Sequence, residues 1–158
     1  MISAIIVLVG SLALGLFYLQ VICQNILRRE FERDYFASIV NANRLEFVFI
    51  RRSLEEFDTP VDYAWTRLAL KCDYLTLIYL LKNAANVRQA YSREERLLMV
   101  YFRGLYLLLS VLHLLRFPEK PAMLKMTAIL RHFANLLGER VSRLRFGNLS
   151  ASEYLMTL

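Results

Sequence analysis

The side chains best suited to metal ligation or nucleophilic chemistry are His113, His132, Cys23 and Cys72, the only histidines and cysteines in the chain. Metal sites gather such ligands at short fixed spacings, and these four are scattered over separate predicted helices, so zinc is not expected. The carboxylates Glu55, Glu56, Asp58 and Asp62 crowd around Pro60. Two of them could act as general acid and base, but acids beside a helix start more commonly cap free amides, and capping is the expected role. Glycines stand singly at 10, 15, 104, 138 and 147, with no loop to cradle a phosphate, which excludes nucleotide binding by a P-loop or dinucleotide fold. Arg103 lies in an otherwise apolar run, where a cation is costly unless paired, so a buried ion pair with a sister helix or a partner is expected. These residues assign no catalytic, cofactor-binding or metal-ligating set. A non-enzymatic protein without a cofactor is therefore expected.

The run His113-Leu114-Leu115-Arg116 resembles, over four residues, the histidine, any residue, leucine, lysine run of histidine phosphotransfer domains, which are themselves helical bundles of this size. The resemblance implies a phosphorelay role for His113. The chain departs from that pattern at the next position, where Phe117 and then Pro118 replace the family's glycine. His132 has Arg131 and Phe133 as neighbours and lacks the acidic neighbour of kinase dimerisation helices. Both histidines are expected to be packing or surface residues.

The elements that must position these groups begin with Ile2 to Ile22, which contains no charged residue. Twenty-one residues at helical rise cover about 31 Å, the hydrocarbon thickness of a bilayer. No basic residue precedes the run and bulky residues occupy the place of a cleavage site, so residues 1–27 are expected to be a permanent transmembrane anchor, not a signal peptide. Ile22 stands before Cys23 where lipoprotein processing needs a small residue. Arg28, Arg29, Arg33 and Arg44 follow the span closely, which predicts the N-terminus outside and the C-terminal domain in the cytoplasm, at an inner membrane. Within the span Ala4, Ser11 and Gly15 project within about 40° of one another, a small-residue strip suited to another membrane helix.

Beyond the anchor, the expected fold is all-α: residues 28–146 form a small, roughly four-helix antiparallel bundle, and 147–158 form a tail. The first helix, about 28–57, continues the anchor, because neither glycine nor proline occurs from Leu16 to Thr59, with Asn41 and Asn43 the places where it could be interrupted. Thr59-Pro60 opens a second helix, about 60–85, whose apolar face is Val61, Ala64, Trp65, Leu68, Cys72, Leu75 and Tyr79. Ser92 and Glu95 form a capping box for a third, about 93–117. This third helix is long and apolar enough to be a second span, but Arg103 and the cationic segment that follows favour the centre of a bundle. A fourth helix, about 121–146, buries Met123, Met126, Ile129, Leu130, Phe133, Leu137, Val141 and Leu144 and ends at Gly147. Arg140, Arg143 and Arg145 then complement its C-terminal dipole.

The composition is 57% hydrophobic with net charge +6, carried mostly by arginine. On a tether this points to anionic lipid headgroups or acidic protein, contacted by Arg28, Arg29, Arg140, Arg143 and Arg145, and not to nucleic acid. Two unrelated cysteines fit a reducing compartment. The expected function is an accessory or scaffolding subunit of a membrane complex, with other membrane-protein subunits or a second copy as partners. The alternative is a tethered carrier or sensor holding a lipid, quinone or pigment in an apolar pocket beside Arg103.

Overall fold

The computed structural model describes residues 2–29, 31, 34–56, 62–83 and 91–156, with side chains described to residue 143. Six helices and no strand occur among them: α1 Ile2–Leu27, α2 Phe36–Asn43, α3 Phe47–Glu56, α4 Tyr63–Asn83, α5 Arg93–Leu114 and α6 Lys120–Met156. The all-α bundle with an N-terminal apolar helix is as the sequence predicts.

The chain does not run on from α1 as one helix. α1 stops before Arg28, and a second break at Arg44 separates two short helices in place of the continuous helix expected over 28–57. Arg44 adopts a left-handed conformation (φ 51°) and its N–H donates to the Val40 carbonyl, a C-cap more usual for glycine. Leu45 and Phe47, just after it, are both buried, so burial outweighs a local cost of about 1–2 kcal/mol.

α3 starts at a cap supplied from another helix. One carboxylate oxygen of Asp73, on α4, accepts from the Glu46 and Phe47 amides at 2.8 and 2.7 Å. At the start of α4, Asp62 accepts from the Ala64 amide at 3.0 Å; the Thr59-Pro60 start lies outside the described residues. The capping box of α5 forms as expected, with the Glu95 amide donating to the Ser92 hydroxyl and the Ser92 amide to the Glu95 carboxylate.

α4 turns its other side inward. Its buried residues are Thr66, Ala69, Leu70, Asp73, Tyr74, Leu77 and Leu81, whereas Ala64, Trp65, Leu68, Cys72, Leu75 and Tyr79 of the expected face are exposed, Leu68 by 60% and Tyr79 by 67%. The inward side has to carry the cap of α3 and the Tyr74 ring, which stacks on Phe102 of α5 at 4.2 Å and tilts against Phe133 of α6 at 6.5 Å.

The central helix is α6, not α5. It packs on α2, α3, α4 and α5 and also touches α1. Met123, Met126, Ile129, Leu130, Phe133 and Leu137 are buried as expected, while Val141 is exposed and the Leu144 side chain is not described. Gly138 lets the backbone of Tyr35 approach, since a Cβ there would lie 2.2 Å from the Tyr35 Cβ. Gly147 does not end α6, which continues to Met156 through most of the expected tail.

α5 buries one side, Leu98, Tyr101, Phe102, Leu105 and Leu109, and leaves Val100, Leu107, Leu108, Val111 and Leu114 exposed. Ser3–Leu27 and Arg93–Leu114 are both long and apolar enough to cross a membrane, with mean hydropathies of 2.4 and 1.8. They differ in surroundings: none of the first apolar window is buried, against 28% of the second.

Candidate functional site

Where α1 gives way to the linker before α2, a cavity of about 490 Å³ opens between the chain exit, α3 and α6. Arg28 and Arg29 come from the exit, Arg51 from α3, and Arg131, His132 and Asn135 from α6. Helical spacing places 128, 131, 132 and 135 of α6 on one stripe, so a single helix face supplies that wall. Arg29 pairs with Glu94 at 2.9 Å, Arg51 with Glu55 at 2.9 Å and Arg131 with Asp34 at 3.0 Å. Arg131 also lies over the Phe36 ring, 4.6 Å from its centroid. Arg28 is exposed and has no carboxylate partner among the described residues. Asn135 is 5% exposed with its amide oxygen unpartnered, and the Nδ1 of His132 is likewise buried without a partner. His132 packs against Phe31 at 5.1 Å, and burial lowers its pKa, with Glu94 and Glu95 opposing and Arg29 reinforcing the shift.

The other arginines singled out by sequence divide. Arg140 is engaged inside the bundle: it pairs with the buried Glu95 and donates to the Leu81 carbonyl at 3.2 Å. This internal pair is where the structure places the buried salt bridge expected of Arg103. Arg103 itself is exposed, near the Tyr74 hydroxyl, with no carboxylate in ion-pair contact among the described residues. Arg143 is exposed and pairs with Glu139 one turn back. Arg140, Arg143 and Arg145 lie well inside α6, so the dipole role does not apply to them; the Arg145 side chain is outside the described residues. Neither Glu95 nor Asp73 stood out in sequence as a charged group to be buried, although Glu95 was visible as a cap.

Two apolar hollows accompany the cationic cavity. Ser11 and Gly15 line a hollow of about 470 Å³ with Leu8, Leu12 and Leu16 on α1; Ser11 donates to the Leu8 carbonyl at 2.9 Å and Gly15 has open space beside it. Ala4 is exposed on the same helix but does not line that hollow. Between α4 and α5 a hollow of about 350 Å³ is lined by Lys71, Tyr74, Phe102, Arg103, Tyr106 and Leu107, among others. Arg67 lies over the nearby Tyr106 ring at 4.6 Å.

His113 is engaged, not free. Its ring stacks on Tyr63 with centroids 3.7 Å apart, and Nδ1 lies 2.6 Å from the Glu119 carboxylate. The pair ties the start of α4 to the turn between α5 and α6, a packing role that the phosphorelay resemblance does not include. No set of three or more His, Cys, Asp or Glu side chains converges on a metal site among the described residues.

The geometry defines an all-helical bundle with one end of an apolar helix built into its core. The chain matches no protein-family profile, no curated protein and no solved structure.

Proposed function

We propose that the protein is a single-pass membrane protein whose bundle serves as a non-enzymatic accessory or scaffolding subunit of a larger membrane complex. The observation that carries this reading is the division of α1. From Ser3 to Tyr18 the helix is exposed on every side, whereas Leu19, Ile22, Cys23, Ile26 and Leu27 pack into the bundle core. The free part is about 24 Å long, shorter than the roughly 30 Å of a bilayer core. A spanning α1 would thus draw the bundle against the membrane surface. α5 suits that seat. Arg29 meets Glu94 and Cys23 approaches the Leu97 carbonyl at 4.0 Å, so α5 runs back toward the free part of α1. Its exposed Leu107, Leu108, Val111 and Leu114, followed by Leu115 and Phe117, lie toward that end.

The outward stripe of α4, with Trp65, Leu68, Leu75 and Tyr79, and the hollow at Ser11 and Gly15 provide apolar area for companion subunits, one outside the membrane and one within it. The arginine-rich exit of α1 suits the cytoplasmic side. The test is photo-crosslinking in native membranes from Leu68 and Tyr79, followed by mild extraction and a mass measurement. A defined companion joined at both positions, in a stoichiometric complex, is the expected result. An uncrosslinked monomer would overturn the reading.

The hollow between α4 and α5 favours a second reading, a carrier of a lipid, quinone or pigment with Arg103 at its polar head. A stoichiometric small molecule extracted from the pure protein, and lost on Phe102→Ala, would select it.

A further inference from the structure

We propose that the cavity under the end of α1 binds one phosphate-bearing anion, and that in the membrane this anion is the headgroup of an acidic phospholipid. The headgroup assignment rests on the reading of α1 as a span; the anion site does not. Four arginines, Arg28, Arg29, Arg51 and Arg131, line it from three parts of the chain, against one lining carboxylate, Asp34, which Arg131 already holds. Three of them hold single carboxylates, and a guanidinium has five N–H donors, so each retains donors for a second acceptor. Arg28 has no described carboxylate partner at all. The cavity wall adds the buried, unpartnered His132 Nδ1, which donates to an anion in its Nδ1–H tautomer, whereas the buried Asn135 amide oxygen is an acceptor and meets such an anion only through a water or a protonated phosphate oxygen. Buried polar atoms left without protein partners mark a place where something else belongs.

An anion with several acceptor oxygens fits this set better than a carboxylate. Phosphate can accept from two or three guanidinium forks at once, which the existing single ion pairs do not do. Location supplies the source. Arg28 and Arg29 follow Leu27 directly, at the level where an apolar helix meets headgroups, and such a juxtamembrane basic cluster is attracted to an anionic leaflet. A cavity of about 490 Å³ accommodates a headgroup while the acyl chains lie beside α1.

The experiment uses the full chain in nanodiscs of phosphatidylcholine with a minor fraction of phosphatidylglycerol, counting acidic lipids retained per protein after dilution into detergent. One retained acidic lipid is expected for the unaltered chain, with affinity about tenfold weaker in Arg28→Gln/Arg131→Gln. An equal charge loss elsewhere, Arg52→Gln/Arg143→Gln, should leave retention unchanged. Because Arg131 also contacts Asp34 and Phe36, Arg28→Gln alone provides the variant with least risk to folding, and should weaken binding severalfold. A parallel arm measures thermal stabilisation in neutral detergent by inorganic phosphate. Stabilisation that depends on Arg28, without lipid retention, would keep the anion site and overturn the headgroup assignment. Equal loss in both double variants, or no retention and no stabilisation, would overturn the site. Release of the protein by alkaline carbonate would instead sink the membrane-span reading, an outcome that the phosphate arm does not depend on.

Discussion

Arg140 of α6 and Glu95 of α5 form an ion pair almost sealed from water, their side chains 19% and 5% exposed. Glu95 simultaneously completes the cap of α5, and Arg140 also donates to the Leu81 carbonyl near the end of α4. One guanidinium thus joins the end of α4, the start of α5 and the middle of α6.

Arg140→Ala leaves the Glu95 charge buried and uncompensated, and should destabilise the bundle by about 3–5 kcal/mol. Glu95→Gln keeps the capping box while removing the charge. In a double-mutant cycle of Arg140→Gln and Glu95→Gln, denaturant unfolding should show a combined loss smaller than the sum of the two single losses.

Gly138→Ala should destabilise even though alanine is the better helix former by about 1 kcal/mol. The new methyl would lie 2.2 Å from the Tyr35 Cβ, an atom close to the backbone that cannot simply swing aside. A net loss of about 1–3 kcal/mol is expected from overpacking, read as a fall in Tm, together with loss of the contact between the Tyr35 and Ser142 hydroxyls.

Asp73→Ala removes the acceptor of two amides at the start of α3 and should cost about 2 kcal/mol. Asp73→Asn keeps an acceptor and should cost less. Burial raises the Asp73 pKa above the ordinary carboxylate value of 3.8, outweighing the two amide bonds that lower it. Since the folded state holds its proton more tightly, this stabilising term is present below 3.8 and is lost as pH rises through the folded pKa. The stability of the unaltered chain relative to Asp73→Asn should therefore decline with rising pH over that window, as measured by urea unfolding.

His132 has the opposite sign. Burial lowers its pKa below 6.5, so above 6.5 it titrates in neither state, and stability is lost as pH falls from 6.5 through the folded value. His132→Gln should flatten that limb of the stability curve. Glu94 and Glu95 from α5 and Arg29 from the linker set the size of the shift, and Arg29→Gln should reduce it.

A chain beginning at Leu19 should fold, and one beginning at Arg28 should not. The first keeps Cys23 and Ile26, which are 0% and 5% exposed in the core; the second opens a groove along α5. Cooperative thermal unfolding of the shorter chain would contradict the role assigned here to the end of α1.

Features carried by neighbouring residues were legible in the sequence. Ser92 and Glu95 announce the start of α5 because a capping box is closed within four positions. The buried stripe of α6 was legible because its inward side is mainly apolar, with Thr127 and Asn135 as buried polar exceptions. α4 was misleading for a physical reason: it has two apolar sides, and periodicity alone favours the one without Thr66 and Asp73. That polar side is buried because Asp73 caps a helix 26 positions earlier in the chain, a long-range pairing that leaves no local signal. The break at Arg44 was foreshadowed only by Asn41 and Asn43 as possible interruptions; its exact place is held by burial of Leu45 and Phe47 in place of glycine. The cationic cavity gathers residues from 27 to 135, so of its arginines only Arg28 and Arg29 could be named beforehand.

The placement of α6 bears on the order in which this molecule is made. The helix against which α2, α3, α4 and α5 all lean follows every one of them along the chain. If α1 spans a bilayer as proposed, it would reach it during synthesis long before α6 leaves the ribosome, with the inward faces of four helices still bare. The nascent chain would then wait at the membrane surface with its apolar sides uncovered, where lipid or a chaperone could shield them until α6 arrives and the bundle closes in one late step.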